Sequence, residues 1–141
     1  MYITRDHKKR TLILDQSKYT ENVVKRFGQE NCKETVVPLP TGYTPHAKVG
    51  EINASLRSQY QSVIGSLLYI MLGTRSDLAY SVIKMSQYSS NPSEEHLQRT
   101  MQIVRYLAYI QTLCITYTAS GNESGLIAYS DTNWAGGMET S

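Results

Sequence analysis

Between Gln29 and about Leu56 the chain carries no periodic apolar pattern, and Pro38, Pro40, Gly42, Pro45 and Gly50 fall close together. Proline lacks a backbone donor and blocks helix interiors, so this stretch admits neither a long helix nor a central strand. A break longer than about 20 residues is uncommon inside a compact domain and is expected to be functional or mobile. It divides the 141 residues into a short N-terminal part and a longer C-terminal part.

In the first part, Tyr2 to Thr4 and Thr11 to Leu14 are β-branched and apolar runs around the polar segment from Asp6 to Lys9. They read as a β-hairpin. Asp15 or Ser17 can then cap a helix in which Tyr19, Val23, Val24 and Phe27 recur at helical spacing. Gly28 stands where a C-terminal glycine belongs, and Glu21 and Lys25 form an i,i+4 pair on the exposed side.

Beyond the break, Ser58 opens a helix whose apolar face is Tyr60, Val63, Ile64, Leu67, Leu68 and Met71, stopping near Gly73. Ser76 is expected to cap another helix, with Leu78, Ala79, Val82 and Ile83 inward. Asn91-Pro92-Ser93-Glu94 marks a third start, with Asn91 as cap, Pro92 at the first helical position and Glu94 completing a capping box. Leu97, Met101, Val104, Leu107 and Ala108 face inward there. Leu113 to Tyr117 and Gly125 to Ser130 read as strands. The expected class is α+β: residues 1–33 a hairpin and helix, 34–57 a loop, 58–112 three helices, 113–141 strands.

Composition excludes several alternatives. With 40% hydrophobic and 18% charged residues the chain is neither a disordered tail nor a membrane protein. No run of about 18 apolar residues is available to cross a bilayer, and no signal-peptide core follows Met1, so an unsecreted, intracellular protein is expected. Cys32 and Cys114 lie too far apart to suggest a disulfide framework or zinc site. His7, His46 and His96 lie in separate elements and read as surface histidines. The 11 tyrosines against one Phe and one Trp suit half-wet surfaces better than a dry core. Residues 1–33 carry eight basic and four acidic side chains, whereas residues 121–141 carry three acidic and none basic.

Three features could carry chemistry. Gln61, Gly65 and Tyr69 are spaced i, i+4, i+8 and form one stripe along their helix. A mid-helix Gly costs about 1 kcal/mol relative to Ala, which is tolerable where another backbone must approach. That neighbour is either a packed helix of the same chain or a nucleic-acid duplex whose minor groove the helix follows. Lys8, Lys18, Lys25 and Arg26, with Arg5, Lys9 and Arg10, could neutralise phosphates or simply be solvated. Asp131, at the end of a predicted strand, could ligate a metal or initiate a turn.

Together these segments resemble the copia-type LTR retrotransposon Pol polyproteins. The resemblance is carried by Ser17-Lys18-Tyr19 through Phe27-Gly28, Asn31-Cys32, Tyr60 to Tyr69, and Thr74-Arg75-Ser76-Asp77-Leu78-Ala79-Tyr80. Asn91-Pro92 with His96, Arg105-Tyr106-Leu107, Tyr129-Ser130-Asp131 and Trp134-Ala135-Gly136 complete it, across essentially the whole chain. Three details depart from the family pattern: Ser76 replaces a Pro, Gly137 replaces an Asp, and an Ala/Arg pattern is missing before Arg105.

The resemblance implies the end of a reverse transcriptase running into its RNase H domain. It casts the hairpin as a primer grip, and Gln61, Gly65 and Tyr69 as a thumb helix on the primer–template RNA/DNA duplex. Asp131 becomes an isolated RNase H carboxylate for Mg2+. The family's polymerase carboxylates and its other RNase H carboxylates are absent from the sequence. The chain is therefore expected to be catalytically incomplete alone and to partner the remainder of the polyprotein. The alternative is a domesticated or relic helical module that binds nucleic acid or a protein without catalysis.

Overall fold

The computed structural model describes residues 1–33 and 35–119. Asp131, Glu34 and the strand expected at Gly125 to Ser130 lie outside the described residues. Among the described residues the chain forms mixed helix and strand: a three-stranded antiparallel sheet and four α-helices.

The hairpin consists of β1 (Tyr2–Asp6) and β2 (Thr11–Asp15), with Ile3 opposite Leu14 and Thr4 opposite Ile13. Its turn is held by Asp6, whose Oδ1 accepts the backbone N–H of Lys8 at 2.9 Å and of Lys9 at 3.0 Å. A third strand, β3 (Ile115–Thr118), pairs antiparallel with β2 and makes β2 the central strand. The sequence reading groups this strand with the C-terminal unit, but its ladder is with the hairpin. Non-local pairing of this kind leaves no local signature. Among the described residues, β2 is half-buried along its length and no strand residue is fully buried.

Helix α1 (Ser17–Arg26) buries Thr20, Val23 and Val24. It ends as expected at Gly28, whose positive φ of 64° lets Gly28 N–H reach Lys25 O and Gln29 N–H reach Val24 O, both at 3.0 Å. Its start differs, because Gln16 occupies the cap position without a side-chain cap bond. The Asp15 carboxylate instead accepts the Ser17 N–H at 2.7 Å and the Ser17 hydroxyl, which together hold it below the usual carboxylate range.

Helix α2 (Ala54–Gly73) starts before the expected Ser58. Asn53 caps it, its side chain accepting Leu56 N–H at 3.1 Å. The first turn, Ala-Ser-Leu-Arg, carries one apolar anchor, Leu56, too few to show a period. Of the expected inward face, Tyr60, Val63, Ile64, Leu67 and Met71 are buried and Leu68 only partly so; Leu56, Ser66 and Ile70 join it.

Ser76 does not cap a helix. It opens a 3-10 turn, Ser76–Leu78, that leads into α3 (Ala79–Ser86). The inward face of α3 is Val82 and Met85 with Ser81, and Ile83 is exposed. Helix α4 (Glu94–Tyr109) is capped by Ser93 rather than Asn91. The Asn91 amide is turned away, donating to Lys48 O at 3.1 Å and Gly50 O at 3.3 Å. The capping box closes through His96: its Nδ1 accepts Ser93 N–H at 3.1 Å, and Ser93 Oγ accepts His96 N–H at 3.2 Å. His96 is therefore buried, with its ring against Tyr88 at 4.4 Å, which corrects the surface reading. Accordingly the inward face of α4 is His96, Thr100, Ile103, Val104 and Leu107, with Leu97, Met101 and Ala108 only partly buried.

From Gln29 to Asn53 the proline-rich break forms no helix or strand among its described residues, yet it is strapped to the helices. Lys84 donates to Tyr43 O at 2.8 Å, Tyr88 to Pro45 O at 3.0 Å and Gln102 to Val37 O at 3.4 Å. Leu39 and Pro45 are buried beneath it. Two of the tyrosines, Tyr88 here and Tyr60 in the core, use their hydroxyls to pair backbone carbonyls. Tyr60 is fully buried and donates to Met85 O at 2.7 Å, and burial pushes its phenol up to about 12. A Phe at these positions would leave helix-end and loop carbonyls unpartnered.

Candidate nucleic-acid interface

Gln61, Gly65 and Tyr69 are all exposed along one side of α2, as their spacing requires. Gly65 separates the two readings of the stripe. A Cβ built there would meet nothing within 4 Å, so no neighbouring helix among the described residues requires the glycine. Around the stripe, Ser55, Ser58, Gln59, Ser62 and Leu72 are also exposed. The one charged side chain of α2 is the half-buried Arg57, one turn before Gln61 on the same line. Ordinary solvent-facing helix surfaces are rich in charge, so a face with a single one is a feature to explain.

The two ends of the stripe are held differently. The Gln61 side chain donates from Nε2 to Ser89 O at 2.9 Å, which ties it to the segment after α3. Tyr69 leans edge-on against Tyr19 of α1, with ring centroids 4.7 Å apart and planes at 67°. Just under half of Tyr69 remains exposed, and its orientation is fixed. Tyr19 is a supporting residue that the sequence reading treats only as part of an inward face.

The basic candidates fall into two groups. Lys8 sits on the hairpin turn, fully exposed beside Lys9 and Arg10. Arg10 takes a positive φ of 54° there. Arg5, His7 and Arg10 line a cleft with Thr11, Leu12, Tyr117 and Thr118. Lys18 and Lys25 are not independent cations, because both reach Glu21. Lys18 Nζ lies 3.0 Å from Oε2 and Lys25 Nζ 2.6 Å from Oε1. Hydrogen bonds from Lys25, then Lys18, pull the Glu21 carboxyl down to about 2. The anticipated Glu21–Lys25 pair is present, and Lys18 joins it. Arg26 is exposed and makes no ion pair among the described residues.

Asp131, proposed for Mg2+, lies outside the described residues. Among the described residues no group of three His, Cys, Asp or Glu side chains is placed to hold a metal ion. No helix is long and apolar enough to cross a membrane among them. The described surface presents amide and phenol groups along α2 and, separately, a cationic hairpin turn.

Comparison with known proteins bears on what is recognised. A retrovirus-related Pol polyprotein from transposon TNT 1-94 of Nicotiana tabacum is 34% identical over 99% of this chain, which spans 11% of that polyprotein. The polyprotein from transposon RE1 of Arabidopsis thaliana is 34% identical over 89% of this chain and 8% of its own length. Secreted RxLR effector protein 161 of Plasmopara viticola is 40% identical over 57% of this chain and 56% of its own length. No protein-family model matches the chain. No solved structure matches it either. Over nearly its whole length this chain is similar to retrovirus-related Pol polyproteins of two plant transposons, of which it spans about a tenth, and this is consistent with a fragment of a copia-type Pol polyprotein.

Proposed function

We propose that the chain is the duplex-holding part of a reverse transcriptase, the region beyond the polymerase active site and leading into RNase H. Helix α2 follows the minor groove of an RNA/DNA primer–template, and the hairpin turn meets the phosphate backbone. An A-form minor groove is wide and shallow and presents 2′-hydroxyls and base edges. A carboxylate or a bulky side chain would be repelled there, whereas Gln61 offers an acceptor, Gly65 allows close approach and Tyr69 packs on a sugar. Lys8, Lys9 and Arg26 supply salt-dependent contacts that carry no sequence information. Synthesis and RNA hydrolysis belong to the rest of the polyprotein, where Mg2+ would stabilise charge on the phosphoryl group; Asp131 would contribute one carboxylate.

The observation that carries this reading is Gly65, a helix-weakening residue left exposed with open space around it. The test is fluorescence anisotropy with a labelled RNA/DNA hybrid at two salt concentrations. Binding should weaken by at least tenfold between 50 and 200 mM salt, on the order expected for several phosphate contacts. Gly65→Leu should weaken it by a further order of magnitude while circular dichroism stays unchanged. Equal binding by the folded Gly65→Leu protein would sink the groove reading.

A second reading is a module that binds a protein without catalysis. Leu72, 80% exposed at the end of the same face, favours it. In that case Leu72→Ser would abolish partner binding and leave hybrid binding unaffected.

A further inference from the structure

Gln16 stands where the hairpin, α1 and α2 meet. Its backbone follows β2 directly and begins α1, its carbonyl accepting Thr20 N–H at 2.9 Å. Its side chain leaves both elements and crosses to the C-terminal end of α2. There Nε2 donates to Tyr69 O at 3.3 Å, and Oε1 accepts the Thr74 hydroxyl at 2.9 Å. Only 2% of Gln16 is exposed. A buried carboxamide of this kind is costly unless its partners are in place.

Gly73 makes the crossing possible. A Cβ at Gly73 would overlap the Gln16 carboxamide, closer than real Cβ atoms come to any neighbour. The Gly73 backbone needs no special φ, so proximity is the reason for a glycine here. Among the described residues no strand side chain is fully buried, which leaves the Gln16 clasp as a polar tie at the point where the hairpin enters α1. Beside it the Tyr19–Tyr69 ring contact joins α1 to α2.

We propose that Gln16 is a positioning residue. Seated against Gly73, it sets the basic hairpin turn at one angle to the exposed stripe of α2, so that both engage the same duplex. This rests on the duplex reading above, which concerns surfaces; the clasp concerns their relative placement and is measured separately.

The experiment pairs electron-spin distance measurement with hybrid binding. Spin labels go on His7→Cys in the hairpin turn and Gln98→Cys on α4, in a Cys32→Ser, Cys114→Ser background of the full chain. The parent should give one narrow distance distribution. Gln16→Ala and the gentler Gln16→Asn should broaden it and reduce hybrid affinity at least fivefold, with helicity retained. Gly73→Ala should do the same when Gln16 is present and add nothing in the Gln16→Ala background. Unchanged distances in both Gln16 variants, or equal Gly73→Ala effects in both backgrounds, would overturn the positioning role whatever the parent binds. A parent that gives the narrow distribution but binds no hybrid would overturn the duplex reading instead.

Discussion

The Arg75 guanidinium forks onto the Asp77 carboxylate, Nε to Oδ1 at 2.9 Å and Nη2 to Oδ2 at 2.8 Å. Its remaining nitrogen, Nη1, donates to Ile110 O at 2.9 Å, the carbonyl that follows α4. Tyr106 completes the arrangement, its ring 5.6 Å from the guanidinium carbon and its hydroxyl donating to Asp77 Oδ2 at 3.1 Å. One buried arginine thus joins the corner after α2 to the far end of α4.

Replacing Arg75 by Ala should cost about 3 kcal/mol, the low end for breaking a buried ion pair, because Asp77 is partly exposed and can rehydrate. At this chain length a loss of that size lowers the melting temperature by about 10 °C. Arg75→Lys should recover little, since an ammonium cannot fork onto a carboxylate and cap a carbonyl at once. Thermal melts of the two variants check this.

The same cluster has a pH signature. Burial pushes the Asp77 carboxyl up, but the Arg75 hydrogen bonds and charge and the Tyr106 hydroxyl outweigh it and hold it below the usual range. A carboxyl depressed in the folded state contributes stability above its unfolded value of about 3.9. That contribution is lost as pH falls through the folded value. Urea midpoints measured from pH 5 to 2.5 should fall steeply in the wild type and less steeply in Asp77→Asn. Parallel curves would remove Asp77 as a cause.

Lys18 and Lys25 both spend their charge on Glu21. Glu21→Gln releases both toward phosphate. Hybrid affinity should rise, and the slope of log affinity against log salt should steepen by up to about 2. The lost surface pairs should cost little stability. An unchanged slope would place α1 away from the duplex.

Gly65→Ala is the converse of the bulky substitution. With nothing near the added methyl, the chain should gain about 0.5–1 kcal/mol from helix propensity alone. A denaturant midpoint that fails to rise would mean an unseen neighbour touches this face.

Much of the helical architecture is written in local periodicity, because α1, α2 and α4 each bury a stripe against one shared core. Gly28 was legible for the same reason: a helix end needs a left-handed residue, and the sequence supplies one. Three things were not legible. The box at Ser93 needed His96, a residue type whose neutral ring can accept a backbone N–H but does not mark a cap in sequence. The inward turn of Thr100 and His96 was hidden because polar residues count against burial in any periodic reading. Pairing of β3 with β2 depends on residues far apart in the chain. As for the interface, the α2 stripe follows from spacing, and its exposure needed the packing. Gln16 gave no sign, since a glutamine before a helix ordinarily faces water.

The pairing of Thr11 with Thr118 sets an order of events. Bringing together segments separated by roughly a hundred residues costs about 4 kcal/mol of chain entropy before any ladder bond forms. The β1–β2 hairpin closes locally and early, while β3 can join only after the helices have carried the chain back. Until then one side of β2 is bare, and a strand from another molecule competes for it on equal terms. Dilution during refolding should therefore raise the yield of soluble chain by sparing the bare edge of β2.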